Sequence, residues 1–106
     1  MNPKRYTSIF NKECEIWFRT KRDIPDMESY LYRFQVYIED NVFGYDFSIT
    51  NESIKIYELV EEDIIDICFD MACKILDTPR EEYCSVDISK RDIWDYLKNR
   101  DGENKK

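Results

Sequence analysis

The sequence predicts an α+β domain in which a mainly antiparallel sheet of four to five strands is covered by a central helix, with a further helix at the C-terminus. Segments with apolar side chains at every second position come first, one long amphipathic segment follows, and a capped helical segment comes last. With 106 residues, 42% of them hydrophobic, the chain is expected to form one domain over residues 1–102 and a frayed tail over 103–106.

The first predicted strand covers residues 13–19. Its apolar side chains occupy alternate positions, and Trp17 falls on the polar side of that alternation. Residues 20–26 are polar and contain a proline, which predicts a loop.

The second predicted strand covers residues 30–39, where aromatic and branched side chains again occupy every second position. Residues 27–39 also fit the spacing of an amphipathic helix with Asp26 as its N-cap. The strand is favoured because its residue types are those enriched in sheets, and the helix stays open as the alternative.

Two further strands are predicted before the central helix. Turn residues at 40–44 lead into a third strand, with apolar side chains at positions 45, 47 and 49. A second reversal at 51–53 precedes Ile54 and Ile56, which predict a fourth strand.

A central helix is predicted over residues 60–77, because its apolar residues form one helical stripe: Val60, Ile64, Ile67, Cys68, Met71 and Ile75. Alternation at 84–88 then predicts a fifth strand. Ser89 and Asp92 resemble a capping box that opens the last helix, with Trp94 expected on its buried face and Gly102 past its end.

Acidic side chains outnumber basic ones. With 16 Lys and Arg against 23 Asp and Glu, the formal net charge is −7. This charge disfavours direct binding to a nucleic-acid backbone and favours a basic protein partner. No apolar run reaches the roughly 18 residues of a membrane span and no secretory signal is recognisable, so a soluble cytoplasmic protein is expected.

Motifs that carry catalytic chemistry are sparse. The chain has no histidine, which removes the commonest general base and every Ser-His or Cys-His pair. Neither Gly44 nor Gly102 lies in a phosphate-binding loop pattern. Carboxylates are abundant, but no spacing selects a catalytic pair. No enzymatic activity is therefore expected.

Four cysteines suggest one cofactor, a structural zinc ion held by Cys14, Cys68, Cys73 and Cys84. Cys68 and Cys73 lie about 140° apart around a continuous helix, so joint ligation requires the helix to end or distort between them. No pair has the two-residue spacing of a specific zinc motif. The alternative is that the thiols fill the core.

Carboxylates also recur along one side of the predicted central helix. Glu62, Asp66 and Asp70 stand at i, i+4 and i+8, about 6 Å apart along the axis, and Glu61 and Asp63 lie close by. Each like-charged contact at this spacing destabilises a helix by a few tenths of a kcal/mol. The row is a candidate surface for the Lys and Arg side chains of a partner, and the alternative is a solvated face that serves solubility.

The stretch from Glu61 to Asp70 reads EEDIIDICFD, in a short chain of charge −7 without catalytic motifs. In these features the chain resembles the small phage-encoded anti-CRISPR proteins, which inhibit CRISPR effector nucleases, often by obstructing a nucleic-acid-binding surface. The resemblance implies an inhibitor in the host cytoplasm. For such an inhibitor, the acidic stripe is expected to steer association, and Trp17, on the polar side of its strand, is the candidate packing anchor. The alternatives are an immunity or antitoxin-like protein that neutralises a basic toxin, and a structural zinc module with solubilising acidity.

Overall fold

Five strands and three α-helices make up the computed structural model over the residues that it describes, 2–79 and 84–104. In chain order they are β1 (Lys4–Thr7), β2 (Glu13–Ile24), β3 (Ser29–Ile38), β4 (Asn41–Thr50), α1 (Asn51–Ile56), α2 (Glu61–Leu76), β5 (Cys84–Asp87) and α3 (Lys90–Asn104). A short 3-10 helix, Pro25–Met27, joins β2 to β3. The predicted α+β class is confirmed.

The strands form one sheet in the order β1-β2-β3-β4-β5. β1 to β4 are antiparallel and make a meander, which needs only short connections. β5, the strand predicted at 84–88, pairs with β4 in parallel, with Tyr45 opposite Cys84. A parallel pair needs a crossover connection, and α1 and α2 lie within it.

One face of the sheet is covered by α2, and the core lies between them. Phe34 of β3 is fully buried, and its ring centroid lies 5.4 Å from that of Phe18 and 5.7 Å from that of Phe47. Phe69 of α2 reaches the same ring, with 5.3 Å between centroids and the planes near perpendicular at 77°. This edge-to-face geometry is favourable for aromatic pairs, so the cluster joins the helix to the sheet.

The other face of the sheet carries the polar side of each alternating strand. Arg19 and Arg33 are exposed there, as the alternation with buried Ile16 and Phe34 requires. The buried carboxylate of Asp46 accepts two hydrogen bonds from the guanidinium of Arg33, at 2.8 and 3.0 Å. Such bidentate pairing compensates the desolvation of the carboxylate.

β2 is longer than the sequence indicates. Residues 20–24, predicted as loop, continue the strand and pair with β3. Residues 20–23 are polar and exposed, so the apolar alternation stops although the backbone pairing continues past a register irregularity between Phe18 and Thr20. β1 was not predicted, because its four residues are largely exposed and show no apolar alternation.

β3 (Ser29–Ile38) confirms the strand predicted over residues 30–39, and the alternative amphipathic helix over 27–39 capped by Asp26 is wrong. β3 pairs with β2 on one side and β4 on the other, so sheet pairing decides between two patterns that fit equally well locally. β4 starts at Asn41, so the turn between β3 and β4 consists of Glu39 and Asp40. The predicted turn at 40–44 is therefore too long, and residues 41–44 belong to the strand. Glu39 adopts the left-handed φ of 55° that this tight reversal requires.

The predicted fourth strand at 54–56 is wrong, because this segment belongs to α1. The hydroxyl of Thr50 accepts a hydrogen bond from the backbone N–H of Ser53 at 3.1 Å, which caps the helix. Two isoleucines at alternate positions are too short a pattern to indicate a strand against this cap. Ile56, one of the two, is exposed.

α2 confirms the predicted central helix. Four members of its predicted stripe are buried: Ile64, Ile67, Cys68 and Met71. Val60 is exposed because it is the N-cap residue, and its N–H donates to the Asp63 carboxylate at 3.2 Å. The acidic first turn thus satisfies one of the free N–H groups at the helix end.

α3 begins with the predicted capping box. The Ser89 hydroxyl accepts from the Asp92 N–H at 3.1 Å, and the Asp92 carboxylate accepts from the Ser89 N–H at 2.9 Å. The helix runs to Asn104, so Gly102 lies inside it rather than past its end, and residues 105 and 106 of the predicted tail lie outside the described residues. No helix in the described part of the chain is long and apolar enough to cross a bilayer.

Replacing Thr50 by alanine should lower the free energy of unfolding by about 1 kcal/mol, because the first turn of α1 loses its cap. Urea unfolding followed by circular dichroism measures the change. Thr50→Ser is the matched control, since it keeps the acceptor oxygen and should stay close to wild type. An alanine variant as stable as the serine variant would contradict the capping role.

Candidate interaction surface on helix α2

The predicted acidic row lies on the solvent face of α2. Glu62, Asp66 and Asp70 are all exposed, because the residues next to them in the helix, Ile67 and Cys68, turn toward the sheet. Asp77, directly after the helix, follows Asp70 by seven residues, close to two helical turns, and therefore lies near the same line. The row spans about 22 Å from Glu62 to Asp77.

Three acidic residues of α2 pair with basic residues from other elements. The Glu61 carboxylate lies 2.9 Å from Lys21 Nζ of β2, and the Asp63 carboxylate lies 2.8 Å from a guanidinium nitrogen of Arg100 in α3. The Asp70 carboxylate lies 3.9 Å from Lys4 Nζ of β1. The sequence pattern contains no signal for these pairs, because each joins residues far apart in the chain.

Glu62 and Asp66 take part in none of these ion pairs. Within residues 2–79 and 84–104, no ion pair joins either carboxylate to a basic side chain. Asp66 accepts a hydrogen bond from the Tyr96 hydroxyl at 3.2 Å. Glu62, at the N-terminal end of the row, and Asp66, one turn further along, are therefore the exposed carboxylates of α2 that have no basic partner among the described residues.

A solvent-open groove of about 430 Å³ contains the middle of the row. Asp66 and Asp70 line it together with Tyr96 and Arg100 of α3 and Lys4 of β1. Burial raises the pKa of Asp70, and the Lys4 charge acts in the opposite direction. Burial and the nearby Asp66 carboxylate raise the pKa of Tyr96 to about 12. The groove thus offers carboxylate oxygens and a neutral phenol to a cationic side chain.

Trp17 does not share this surface. It lies on the face of the sheet opposite α2, where its indole N–H donates to Glu15 at 2.6 Å and the Arg19 guanidinium lies 4.7 Å from its ring centroid. The acidic row and Trp17 thus face opposite directions. The predicted partner-binding residues are therefore brought together only in part: Glu61, Glu62, Asp63, Asp66 and Asp70 on one helix, and Trp17 elsewhere.

The predicted burial of Trp94 is also wrong. Trp94 was expected on the buried face of the last helix beside Ile93, but 58% of it is exposed. Ile93 is fully buried, and a neighbouring residue in a helix points about 100° away.

The four predicted zinc ligands lie on different parts of the fold. Cys14 is buried in β2 and Cys84 half-buried in β5, and two strands stand between them, so about 14 Å separates their backbones. Two sulfurs on one zinc ion lie within about 4.6 Å of each other. α2 runs unbroken through Cys68 and Cys73, without the distortion that joint ligation requires.

The described residues contain no cluster of three or more His, Cys, Asp or Glu side chains placed to hold a metal ion. Cys68 is fully buried, and burial raises the pKa of its thiol. The zinc site therefore stays a prediction from composition, and the arrangement of the thiols does not add support to it.

Comparisons of the chain with protein-family models, curated proteins and solved structures found no match. The chemistry of the surface is therefore the basis for a functional proposal.

Alkaline pH should destabilise the protein through Tyr6, Tyr32 and Tyr96. Each phenol has its pKa raised from 10.0 to about 12, Tyr6 by its hydrogen bond to Asp77 and the other two by burial. The phenols of the unfolded chain ionise first, so the contribution of these three tyrosines to stability is constant below about pH 10 and falls as the pH rises toward 12. Urea unfolding at several pH values, with tyrosinate absorbance of the native protein, measures this. Stability that rises above pH 10 would contradict it.

Thiol reactivity should follow burial. In the native protein, Cys73 and Cys84 should react with a disulfide reagent before Cys14 and Cys68, because the latter two are buried. Mass spectrometry of the labelled peptides gives the order. Elemental analysis of an unlabelled sample tests the zinc prediction, and one zinc per chain that is lost when the thiols are alkylated would support ligation by the cysteines.

Proposed function

We propose that this chain is a small acidic inhibitor that binds a basic surface of a nucleic-acid-processing protein, such as a CRISPR effector nuclease, and blocks nucleic-acid loading or cleavage. The observation that supports the proposal most is the row of exposed carboxylates on α2, with Glu62 and Asp66 lacking basic partners in the described residues. The proposed action is stoichiometric binding in the cytoplasm, without catalysis.

Side chains that bind nucleic-acid phosphates also suit a row of carboxylates. Arg and Lys recognise both anions through charge-assisted hydrogen bonds, and Arg does so with two donors at once. A row of about 22 Å on a helix presents these groups from a backbone that is already ordered, which lowers the entropy cost of binding. The row would thus occupy a phosphate-binding groove in place of its substrate.

The net charge supports the same mechanism. A formal charge of −7 on 106 residues attracts a basic groove at long range and speeds association. The pairs with Lys4, Lys21 and Arg100 reduce the local field but keep the carboxylates on the surface. Affinity after encounter must then come from contacts that exclude water.

Charge reversal of the row tests the proposal. The triple variant Glu62→Lys, Asp66→Lys, Asp70→Lys should associate about tenfold or more slowly with an effector nuclease that the wild type inhibits, and should lose most of the salt dependence of association. Surface plasmon resonance at several salt concentrations measures both, and a nuclease assay measures inhibition.

The matched control carries the same change in net charge at exposed positions in neither α2 nor the loop between β1 and β2: Asp26→Lys, Glu28→Lys and Asp87→Lys. It should associate more slowly than wild type only to a small extent. Equal effects of the two triple variants would mean that overall charge acts and the row does not. Binding to purified basic toxin nucleases, with none to CRISPR effectors, would replace this proposal by the immunity-protein alternative.

A further inference from the structure

The loop between β1 and β2 presents two neighbouring apolar side chains to solvent. Ile9 is 69% exposed and Phe10 45% exposed. Large apolar side chains that stand together on a surface mark interaction sites more often than single ones do. We call Ile9 and Phe10 the apolar tip.

Hydrogen bonds within the loop hold the apolar tip in place. Ser8 is buried, its N–H donates to the Lys12 carbonyl at 2.9 Å, and its carbonyl accepts from the Asn11 N–H at 2.9 Å. The Ser8 hydroxyl also accepts from the N–H groups of Phe10 and Lys12, each at 3.3 Å. Asn11 adopts the left-handed φ of 60° that asparagine tolerates well. Binding through this loop would therefore cost little ordering.

Asp77 connects the apolar tip to the acidic row. One oxygen of its carboxylate accepts from the backbone N–H of Ile9 at 2.9 Å, and the other accepts from the Tyr6 hydroxyl. Asp77 lies near the line of Asp66 and Asp70 at the end of α2. The tip therefore continues the acidic surface at its C-terminal end.

We infer that the apolar tip is the packing anchor of the acidic surface, and that it enters an apolar pocket bordered by Lys and Arg side chains on the protein partner. This inference rests on the proposed function and deepens it. The tip takes the role that the sequence assigned to Trp17, since Trp17 faces away from α2. The acidic row then sets the rate of association, and the tip sets the rate of dissociation.

Charge complementarity favours a basic protein surface as the partner of the apolar tip. An anionic lipid surface would be repelled by the net charge of −7 and by Asp77 beside the tip, with Asp70 and Asp66 about 11 and 17 Å further along α2. A second copy of the chain would bring two acidic rows together, which is also unfavourable. A basic protein surface has the charge that matches this neighbourhood.

The double variant Ile9→Ala, Phe10→Ala tests the inference, with the single variant Phe10→Leu as a milder change. The probe is the purified effector nuclease that the wild type inhibits. Surface plasmon resonance should show dissociation about tenfold or more faster for the double variant, with the association rate within about twofold of wild type. Phe10→Leu should give an intermediate dissociation rate, because it keeps part of the apolar contact.

Met27→Ala is the matched control, because Met27 is 72% exposed and lies beyond the far end of β2, roughly 40 Å from the tip. It should leave both rates unchanged. Circular dichroism checks that all variants fold. Unchanged dissociation of the double variant overturns the inference and leaves the proposed function in place. Failure of the wild type to bind any effector overturns both.

Discussion

The contact between Phe69 of α2 and Phe34 of β3 is the constraint on which the rest of the surface depends. The sheet buries only one face, and α2 lies on that face with its aromatic and branched side chains turned inward. Because a helix places its residues at fixed angles, burying Ile67 and Cys68 determines that Asp66 and Asp70 face solvent. The position of the carboxylates is thus a consequence of core packing.

A row of like charges on a helix is unfavourable in itself, by a few tenths of a kcal/mol for each contact. The fold offsets part of this cost with basic side chains from β1, β2 and α3, namely Lys4, Lys21 and Arg100. Exposed ion pairs contribute little each, about 0 to 1 kcal/mol. Glu62 lies in the first turn, where the helix dipole favours a negative charge. Asp66 lies beyond that turn and has no ion pair in the described residues, and the proposed binding role explains why its charge is kept there.

The sequence predicted the elements in which one strong pattern extends over many residues, such as α2 and β3. The prediction omitted β1, because its four largely exposed residues show no apolar alternation. It assigned a strand to the segment that forms α1, because two isoleucines at alternate positions were the only pattern there. The exposure of the acidic row was predictable from helical spacing. Its ion pairs, its continuation into the Ile9 loop and the orientation of Trp17 away from it depend on tertiary packing and could not be read from local spacing.

Carboxylate footprinting of the complex with an inhibited effector nuclease tests most directly whether the acidic face of α2 is the binding surface. Carbodiimide labelling followed by mass spectrometry reports the accessibility of each Asp and Glu side chain, with and without the nuclease. Protection of Glu62, Asp66 and Asp70, with unchanged labelling of Asp26 and Glu28 in the connection between β2 and β3, is the predicted result. Unchanged labelling of the row in a complex that forms and inhibits would contradict it.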